Sequence, residues 1–442
     1  MTSARARNFV DLFAGCGGLS LGLADAGMRG LFAIEHDPMA FESFAANFVE
    51  DGAPESVRFD WPSWLERRAW SVAELLERHH ADLEELRGSV DIIAGGPPCQ
   101  GFSLAGQRIE NDPRNLLVEK YVEAVKLMRP AALILENVPG MQYAHGTGTL
   151  PQAADMRQRR RRSFYDRLAI DLDAVGYEVR ATLVDASRFG VPQRRLRLIA
   201  IGLRKDLSHW PLDSVGHVFD LIEEARAEQL RDFELGDAVS AADAISDLEI
   251  GNRPLVECTD PQSPGGYFQA TPAVAATAYQ KFMRRGAEDA PDSLRLANHR
   301  DEIRLRYEKI LQNCQRGVRM NDDDRSLFGL KKHRIHPMSP SEPAPTITTM
   351  PDDVLHYAEP RILTVRESAR LQSFPDWFRF RGKFTTGGNR RTRECPRYTQ
   401  VGNAVPPLLA RAIGVAVSRA LEKFERTHAG AQVERQTKVV GK

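Results

Sequence analysis

From residue 9 to about residue 202, short β-rich apolar runs alternate with stretches whose apolar residues recur at helical spacing. That alternation restricts the chain to strands joined by crossover helices, which means a mostly parallel sheet covered on both faces. The apolar runs fall at 9–13, 31–34, 90–94, 132–135, 178–184 and 198–202, and the helical patterns at 19–26, 38–48, 116–127 and 164–175. Gly27 and Gly176 follow two of those patterns, where helix stops belong. The expected fold class is therefore α/β, doubly wound.

Two segments break the rhythm. Residues 51–89 carry Trp61, Trp64 and Trp70, and residues 146–162 end in a run that includes Arg157 and Arg159 to Arg162. From about 203 to 358 the alternation gives way to polar sequence punctuated by Pro and Gly, so a second, smaller and irregular domain is expected. The expected division is a catalytic domain over 1–204 completed by 398–424, a second domain over 205–378, and a disordered tail over 425–442. Lys plus Arg and Asp plus Glu both number 60, so any nucleic-acid-binding face has to be local. The five cysteines, Cys16, Cys99, Cys258, Cys314 and Cys395, form no C-x-x-C pair, so neither a disulfide framework nor a metal site is expected. No unbroken apolar run has bilayer length and no secretory signal opens the chain, which points to a cytoplasmic protein without a membrane partner.

The first apolar run leads through Asp11-Leu-Phe-Ala-Gly-Cys-Gly-Gly18 into a helical pattern, the place where a doubly wound sheet receives a nucleotide-like cofactor. Seventeen residues past Gly18, Glu35 ends the next strand, in position to accept hydrogen bonds from ribose hydroxyls. A dinucleotide fits this pair nearly as well, and so does a plain tight turn with a surface acid. The G-x-G-G spacing is, however, short of the six-residue pyrophosphate pattern.

The segment Gly95-Gly-Pro-Pro-Cys-Gln-Gly-Phe-Ser103 says more. Two glycines and two prolines at the end of a buried strand present Cys99 rigidly at the carboxyl edge of the sheet, beside the cofactor position. A free cysteine is ordinarily a small core hydrophobe, and the other four are read that way. Cys99 is read as a nucleophile, because a core residue needs neither the Pro-Pro brace nor the polar Gln100 and Ser103 around it.

This cysteine loop resembles the catalytic loop of the DNA cytosine-5 methyltransferases. Further segments resemble that family's motifs in its unpermuted order: Asp112-Pro-Arg-Asn-Leu-Leu117, Glu136-Asn-Val138, Gln193-Arg-Arg-Leu-Arg197, the stretch from Arg366 to Pro375, and Gln400-Val-Gly-Asn-Ala-Val-Pro-Pro407. The resemblance implies a Rossmann-like fold that binds S-adenosyl-L-methionine, with a target recognition domain over 205–378. It makes Cys99 the nucleophile and has Glu136 hold N3 and the exocyclic amine of cytosine. Arg197 would hold the cytosine carbonyl and the catalytic acid, and Arg195 would lie near the nucleophile and a phosphate. Strand alternation puts Arg195 and Arg197 on one face, expected to look into the site.

For the cofactor, the resemblance implies Phe13 stacked on adenine, Gly15, Gly17, Gly18 and Leu19 along the methionine side, and Glu35 on the ribose. Pro97 and Leu117 would form the wall, and Asn403 and Val405 would close it. Asp60 would meet the adenine amine, although its flanking Trp61-Pro62 departs from the family pattern. Gln100, Ser103, Arg108 and Arg114, in a loop that resembles the family's mobile active-site loop, would contact DNA. Lys281, Arg284, Arg285, Arg300 and residues 331–334 read as phosphate or base contacts or, for any one of them, as solvated surface.

The expected activity is methyl transfer to carbon-5 of a flipped cytosine in duplex DNA, by a monomer serving a restriction-modification system beside a separate endonuclease. The cell would be bacterial or archaeal, and the enzyme nucleoid-associated. Methylation of transfer RNA and a catalytically silent DNA-binding regulator stay open as alternatives. A nicotinamide oxidoreductase explains the glycine loop and nothing else.

Overall fold

The computed structural model of the chain describes residues 5–97, 116–142, 163–207, 214–330, 335–386, 390 and 393–440, with the main chain alone at 214 and 427–440. Its first part runs β1 (Asn8–Leu12), α1 (Gly18–Asp25), β2 (Arg29–Ile34), α2 (Pro38–Phe48), α3 (Val72–Arg78), α4 (His80–Glu85) and β3 (Ile92–Gly95). It continues through α5 (Leu116–Met128), β4 (Ala132–Asn137), α6 (Phe164–Ala174), β5 (Tyr177–Asp185), β6 (Leu196–Arg204) and α7 (Ser214–Asp232). The second part holds α8 (Ala241–Ile245), the β7–β8 ribbon (Leu255–Glu257 and Phe268–Ala270), α9 (Ala278–Met283), α10 (Asp301–Asn313) and α11 (Asp322–Leu327). It then adds β9 (His336–Pro337), β10 (Val354–Leu355) and α12 (Val365–Leu371) before α13 (Arg397–Asn403) and α14 (Pro407–Val440) return to the first part.

Among the described residues six strands form the main sheet, in the order β2–β1–β3–β4–β6–β5. The first four are mutually parallel, whereas β6 runs antiparallel to both β4 and β5. The sheet is thus the mostly parallel, doubly wound one that the apolar pattern implies. The reversal at β6 was not in that pattern, because side-chain period two is the same in either direction. Strands β1, β3 and β4 are apolar on both faces and almost completely buried, as a sheet sandwiched between helices requires. Helix entry is fixed locally: Asp37 caps α2 by accepting from Met39 N and Ala40 N, and Ser163 caps α6 with Asp166 closing a capping box.

The two ends of the chain build one body. Helix α14 packs on α1 and on α7. Helix α7, which lies inside the 205–378 segment, is bound to that body: Gln229 Nε2 donates to the carbonyls of Phe189 and Leu408, both at 3.0 Å, and Arg419 pairs with Glu228. The 30-residue stretch Arg397–Arg426 has the length and hydropathy of a membrane span, yet 78% of its apolar window is buried inside the protein. Helix α14 continues to Val440, through the stretch for which sequence pattern implied a disordered tail. Residues such as Glu434, Arg435, Gln436 and Lys438 favour a helix without any apolar stripe.

Buried charge pairs organise the second part. On α12, capped by Thr364, the guanidinium of Arg370 is bidentate to Asp376 (2.6 and 2.6 Å) and also reaches Asp247 (3.0 and 3.2 Å). Arg361 is bidentate to Glu367 at 2.8 and 2.7 Å. Arg284 pairs with the same Asp247, so its guanidinium is already engaged by a carboxylate, while the exposed Arg285 lies over the ring of Phe282. A satellite core of Tyr307, Ile310, Met320, Ile335, Leu355 and Ile362 seats α10.

The chain ends approach closely at Gly22, where an added methyl would collide with the Pro407 carbonyl, Ala410 Cβ and Arg411 N of α14. Gly22→Ala is therefore expected to lower the unfolding free energy by about 1–3 kcal/mol. This outweighs the roughly 0.5–1 kcal/mol that alanine gains over glycine inside a helix. Urea denaturation measures the difference, and unchanged stability would mean that α1 and α14 do not meet there.

Candidate active site

The carboxyl ends of β1, β3 and β4 and the start of β6 lie along one edge of the sheet. In the antiparallel β4–β6 ladder Glu136 stands opposite Ile199, so Arg197, two residues before Ile199, projects from the same face as Glu136. The two side chains meet: Arg197 Nε lies 2.8 Å from Glu136 Oε1, each side chain 12% exposed. Arg197 Nη1 also donates to the Leu196 carbonyl at 2.7 Å. The second carboxylate oxygen faces the stem of the cysteine loop, since a side-chain carbon placed on Gly96 would lie 3.4 Å from Glu136 Oε2. Next along β4, Asn137 Nδ2 donates to the Pro97 carbonyl at 2.9 Å while its Oδ1 accepts from Val138 N. That stem is thereby pinned to the strand carrying Glu136.

Cys99 itself lies outside the described residues, as do Gln100, Ser103, Arg108 and Arg114, the arginine run up to Arg162, and residues 331–334. The other four cysteines are free thiols and sit buried or half-buried. Burial pushes the Cys16 thiol up to about 12 and also raises Cys314 and Cys395, so none of these three has the lowered pKa of a reactive thiolate.

The glycine loop is organised by Glu35. Its Oε2 accepts from Gly15 N at 2.9 Å and its Oε1 from Asp37 N at 2.8 Å, with His36 Nδ1 at 3.0 Å from Oε1. That contact with Glu35 raises the His36 pKa. The 51–89 segment braces the same residue, since Trp70 N donates to the Glu35 carbonyl at 2.9 Å and Arg68 covers the Trp70 ring. Phe13 holds a left-handed backbone conformation (φ 66°), which costs a non-glycine residue about 1–3 kcal/mol and concentrates at binding sites. Gly18 abuts the Val405 carbonyl so closely that a side chain there would collide with it, which brings the 402–405 turn to the loop. Of the remaining cofactor candidates, Gly17 and Leu19 are buried at the start of α1, Pro97 is buried, Leu117 is half-buried and Asn403 is exposed. Asp60 is ion-paired to Arg29, a competing partner for its carboxylate.

The residues fit S-adenosyl-L-methionine. Space in front of Gly15 is open to at least 4 Å, Glu35 keeps lone pairs for hydroxyls, and a second acid lies beneath the loop. That acid is Asp11, which sequence reasoning passed over although a carboxylate inside the apolar run Phe9-Val-Asp-Leu-Phe13 was a signal. Its Oδ2 accepts from Ser20 Oγ at 2.6 Å, and its Oδ1 has no partner among the described residues. Burial pushes the Asp11 carboxyl up to about 7, the Ser20 bond opposing and the Glu35 charge adding to the rise. Among the described residues no group of three or more His, Cys, Asp or Glu could hold a metal ion.

Arg195 is fully buried and donates to the carbonyls of Ile347, Gly402 and Ala404. Burial pulls its pKa well below the usual arginine range, Arg197 adding to the fall and Glu136 opposing it. Its partner in the same stretch, Gln193, was quoted in the sequence motif without a role and is equally buried.

The family profile described as C-5 cytosine-specific DNA methylase matches residues 7–419. The chain is 31% identical over 422 residues to the Type II methyltransferase M.DdeI of Desulfomicrobium norvegicum, covering 93% of this chain and 88% of that protein. It is 30% identical over 414 residues to the Type II methyltransferase M1.HphI of Haemophilus parahaemolyticus, covering 92% and 86%. Among solved structures, a prophage-encoded DNA modification methyltransferase from E. coli superposes with a TM-score of 0.59 at 24% identity, covering 94% of this chain and all of that one.

Asp11 yields a pH prediction. An aspartate whose folded pKa is raised binds its proton more tightly when folded, so folded stability falls as pH climbs from about 4, the unfolded value, to about 7. Asp11→Asn removes this titration, so the stability of the variant relative to the parent is expected to rise between pH 4 and 7 and level off above. Urea denaturation of the cofactor-free proteins at several pH values checks it; a difference independent of pH would contradict the assignment.

Proposed function

The chain belongs to the C-5 cytosine-specific DNA methylase family and is a DNA cytosine-5 methyltransferase; from that premise we propose that it methylates a cytosine extruded from duplex DNA, through a transient bond to Cys99. The observation that carries the reading is the Glu136–Arg197 pair at 2.8 Å, held on one face beside the stem of the cysteine loop.

Carbon-5 of cytosine is a weak nucleophile, because its lone-pair density is delocalised in an electron-poor ring. The Cys99 thiolate adds to carbon-6, breaking the carbon-5 to carbon-6 double bond and driving electron density toward carbon-5 and N3. Glu136, as its acid form, donates to N3 and accepts from the exocyclic amine, which stabilises the charge that develops there. Arg197 holds Glu136 in register and donates to the cytosine carbonyl. S-adenosyl-L-methionine, when bound, supplies an electrophilic methyl group for the activated carbon-5. Loss of the carbon-5 proton to solvent then returns the electron pair to the ring, and the carbon-6 to sulfur bond breaks to release thiolate.

The cofactor is held by Phe13, Gly15, Gly17, Gly18, Leu19, Glu35, Asp60, Pro97, Leu117, Asn403 and Val405. Gln100, Ser103, Arg108 and Arg114 contact the DNA, whose target base is unstacked at a cost of a few kcal/mol. Residues 205–378 carry target recognition, apart from α7, which serves the catalytic body. As the names of its relatives suggest, the enzyme protects DNA against a separate endonuclease of a restriction-modification system, acting as a monomer in the cytoplasm.

Incubation with methyl-tritiated S-adenosyl-L-methionine and either duplex DNA or transfer RNA tests this. Label is expected in DNA alone, abolished by Cys99→Ser, with Glu136→Gln lowering kcat about 10²- to 10⁴-fold. Label in transfer RNA alone, or in neither, contradicts the proposal.

A further inference from the structure

The stretch that opens β6 is polar and buried at once. Gln193 Nε2 donates to the Leu371 carbonyl at 3.1 Å, and its Oε1 accepts from Ile347 N at 2.9 Å. The main chain beside it is sewn to the 344–347 segment, Arg194 N donating to the Ala344 carbonyl and Ala344 N to the Pro192 carbonyl. Two residues on, Arg195 Nη1 reaches the Ile347 carbonyl at 3.0 Å, while Nη2 reaches the carbonyls of Gly402 at 2.8 Å and Ala404 at 3.0 Å. These last two carbonyls flank Asn403 and precede Val405, the residues given to closing the cofactor site.

Burying a guanidinium against carbonyls alone is unfavourable unless its charge and geometry are both used. Arg195 lies within electrostatic reach of Arg197, which opposes its charge, and of Glu136, which favours it. Its planar fork therefore spans from the turn beside the cofactor to the strand start from which, two residues later, Arg197 reaches Glu136. A side chain 1% exposed with both terminal nitrogens engaged is poorly placed for the phosphate contact implied by resemblance.

We infer that Arg195 is a positioning residue, coupling the 402–405 turn on the cofactor side to the Glu136–Arg197 pair on the cytosine side, without touching DNA. The inference rests on the methyltransferase reading. Occupancy of the cofactor site and alignment of the catalytic pair are then one structural event, because the carbonyls that position Asn403 and the strand that positions Arg197 share a single rigid donor.

The test compares wild type with Arg195→Lys and Arg195→Met. Active sites are counted by covalent trapping on duplex DNA synthesised with 5-fluorocytosine in place of cytosine. Turnover per trapped site is expected to fall by up to about 100-fold, as a misplacement near 1 Å produces. KM for S-adenosyl-L-methionine is expected to rise with it, less for lysine, which keeps some carbonyl bonds. Affinity for DNA without cofactor is expected to stay within about twofold, because the coupling acts only through the cofactor-side turn. If Arg195→Met does not fold, Arg195→Lys carries the same readouts. Loss of cofactor-free DNA affinity at unchanged KM would make Arg195 a direct DNA contact and overturn the inference, as would unchanged kinetics. Failure of wild type to trap at all would instead overturn the methyltransferase mechanism.

Discussion

The antiparallel pairing of β6 with β4 is the constraint on which the site depends. It makes Glu136 and Arg197 neighbours on one sheet face, although they stand 61 positions apart in sequence. A slip of one residue in that ladder would turn Arg197 to the opposite face and leave a half-buried carboxylate unpaired. The register is protected from both sides: β5 pairs with β6 along nine residues, and the residues before β6 are sewn to the 344–347 segment. The same edge receives the stem of the cysteine loop through Asn137 and the glycine loop through Glu35. Chemistry that needs an acid, a cation, a nucleophile and a cofactor within a few ångströms is thus supplied by four consecutive strand ends and the turns that leave them.

Part of the charge is used as internal structure. Arg195, Arg361, Arg366, Arg370 and Arg397 are all nearly inaccessible, and each donates to carboxylates or to carbonyls, with only Nε of Arg195 among the Arg195 nitrogens left without a partner among the described residues. Arg366, for example, joins Asp292 to the carbonyls of Pro375 and Phe378. Where a helix carries few long apolar side chains, multidentate arginines offer another way to fix irregular loops in one arrangement.

Most of the sheet was legible in the sequence. Stretches such as 92–95 and 132–135 are uninterrupted apolar runs, and their neighbours repeat at helical spacing, so local pattern and tertiary role agree. Direction was not legible for β6, nor was the membership of α7, whose partners on α14 lie about 180–190 residues away in sequence. Arginines posed the same difficulty: nothing local to Arg370 or Arg397 reveals Asp247 or Asp260, which stand 123 and 137 residues off. Within the site, Glu136 and Arg197 were legible because strand ends and alternation fix where they point. Arg195 was assigned to the same face, but the sequence could not say that carbonyls of the 347 and 402–404 segments enclose it. Asp11 was hidden in an apolar run, its meaning dependent on Ser20 and on the depth of the loop above it.

The most direct measurement is a crystal structure of the chain covalently trapped on a duplex bearing 5-fluorocytosine at its target. The account predicts a bond from Cys99 Sγ to carbon-6 of an extrahelical base, with Glu136 within hydrogen-bond distance of N3 and Arg197 bridging that carboxylate and the base carbonyl. A base bound through another residue, or one lying apart from an undisturbed Glu136–Arg197 pair, would contradict it.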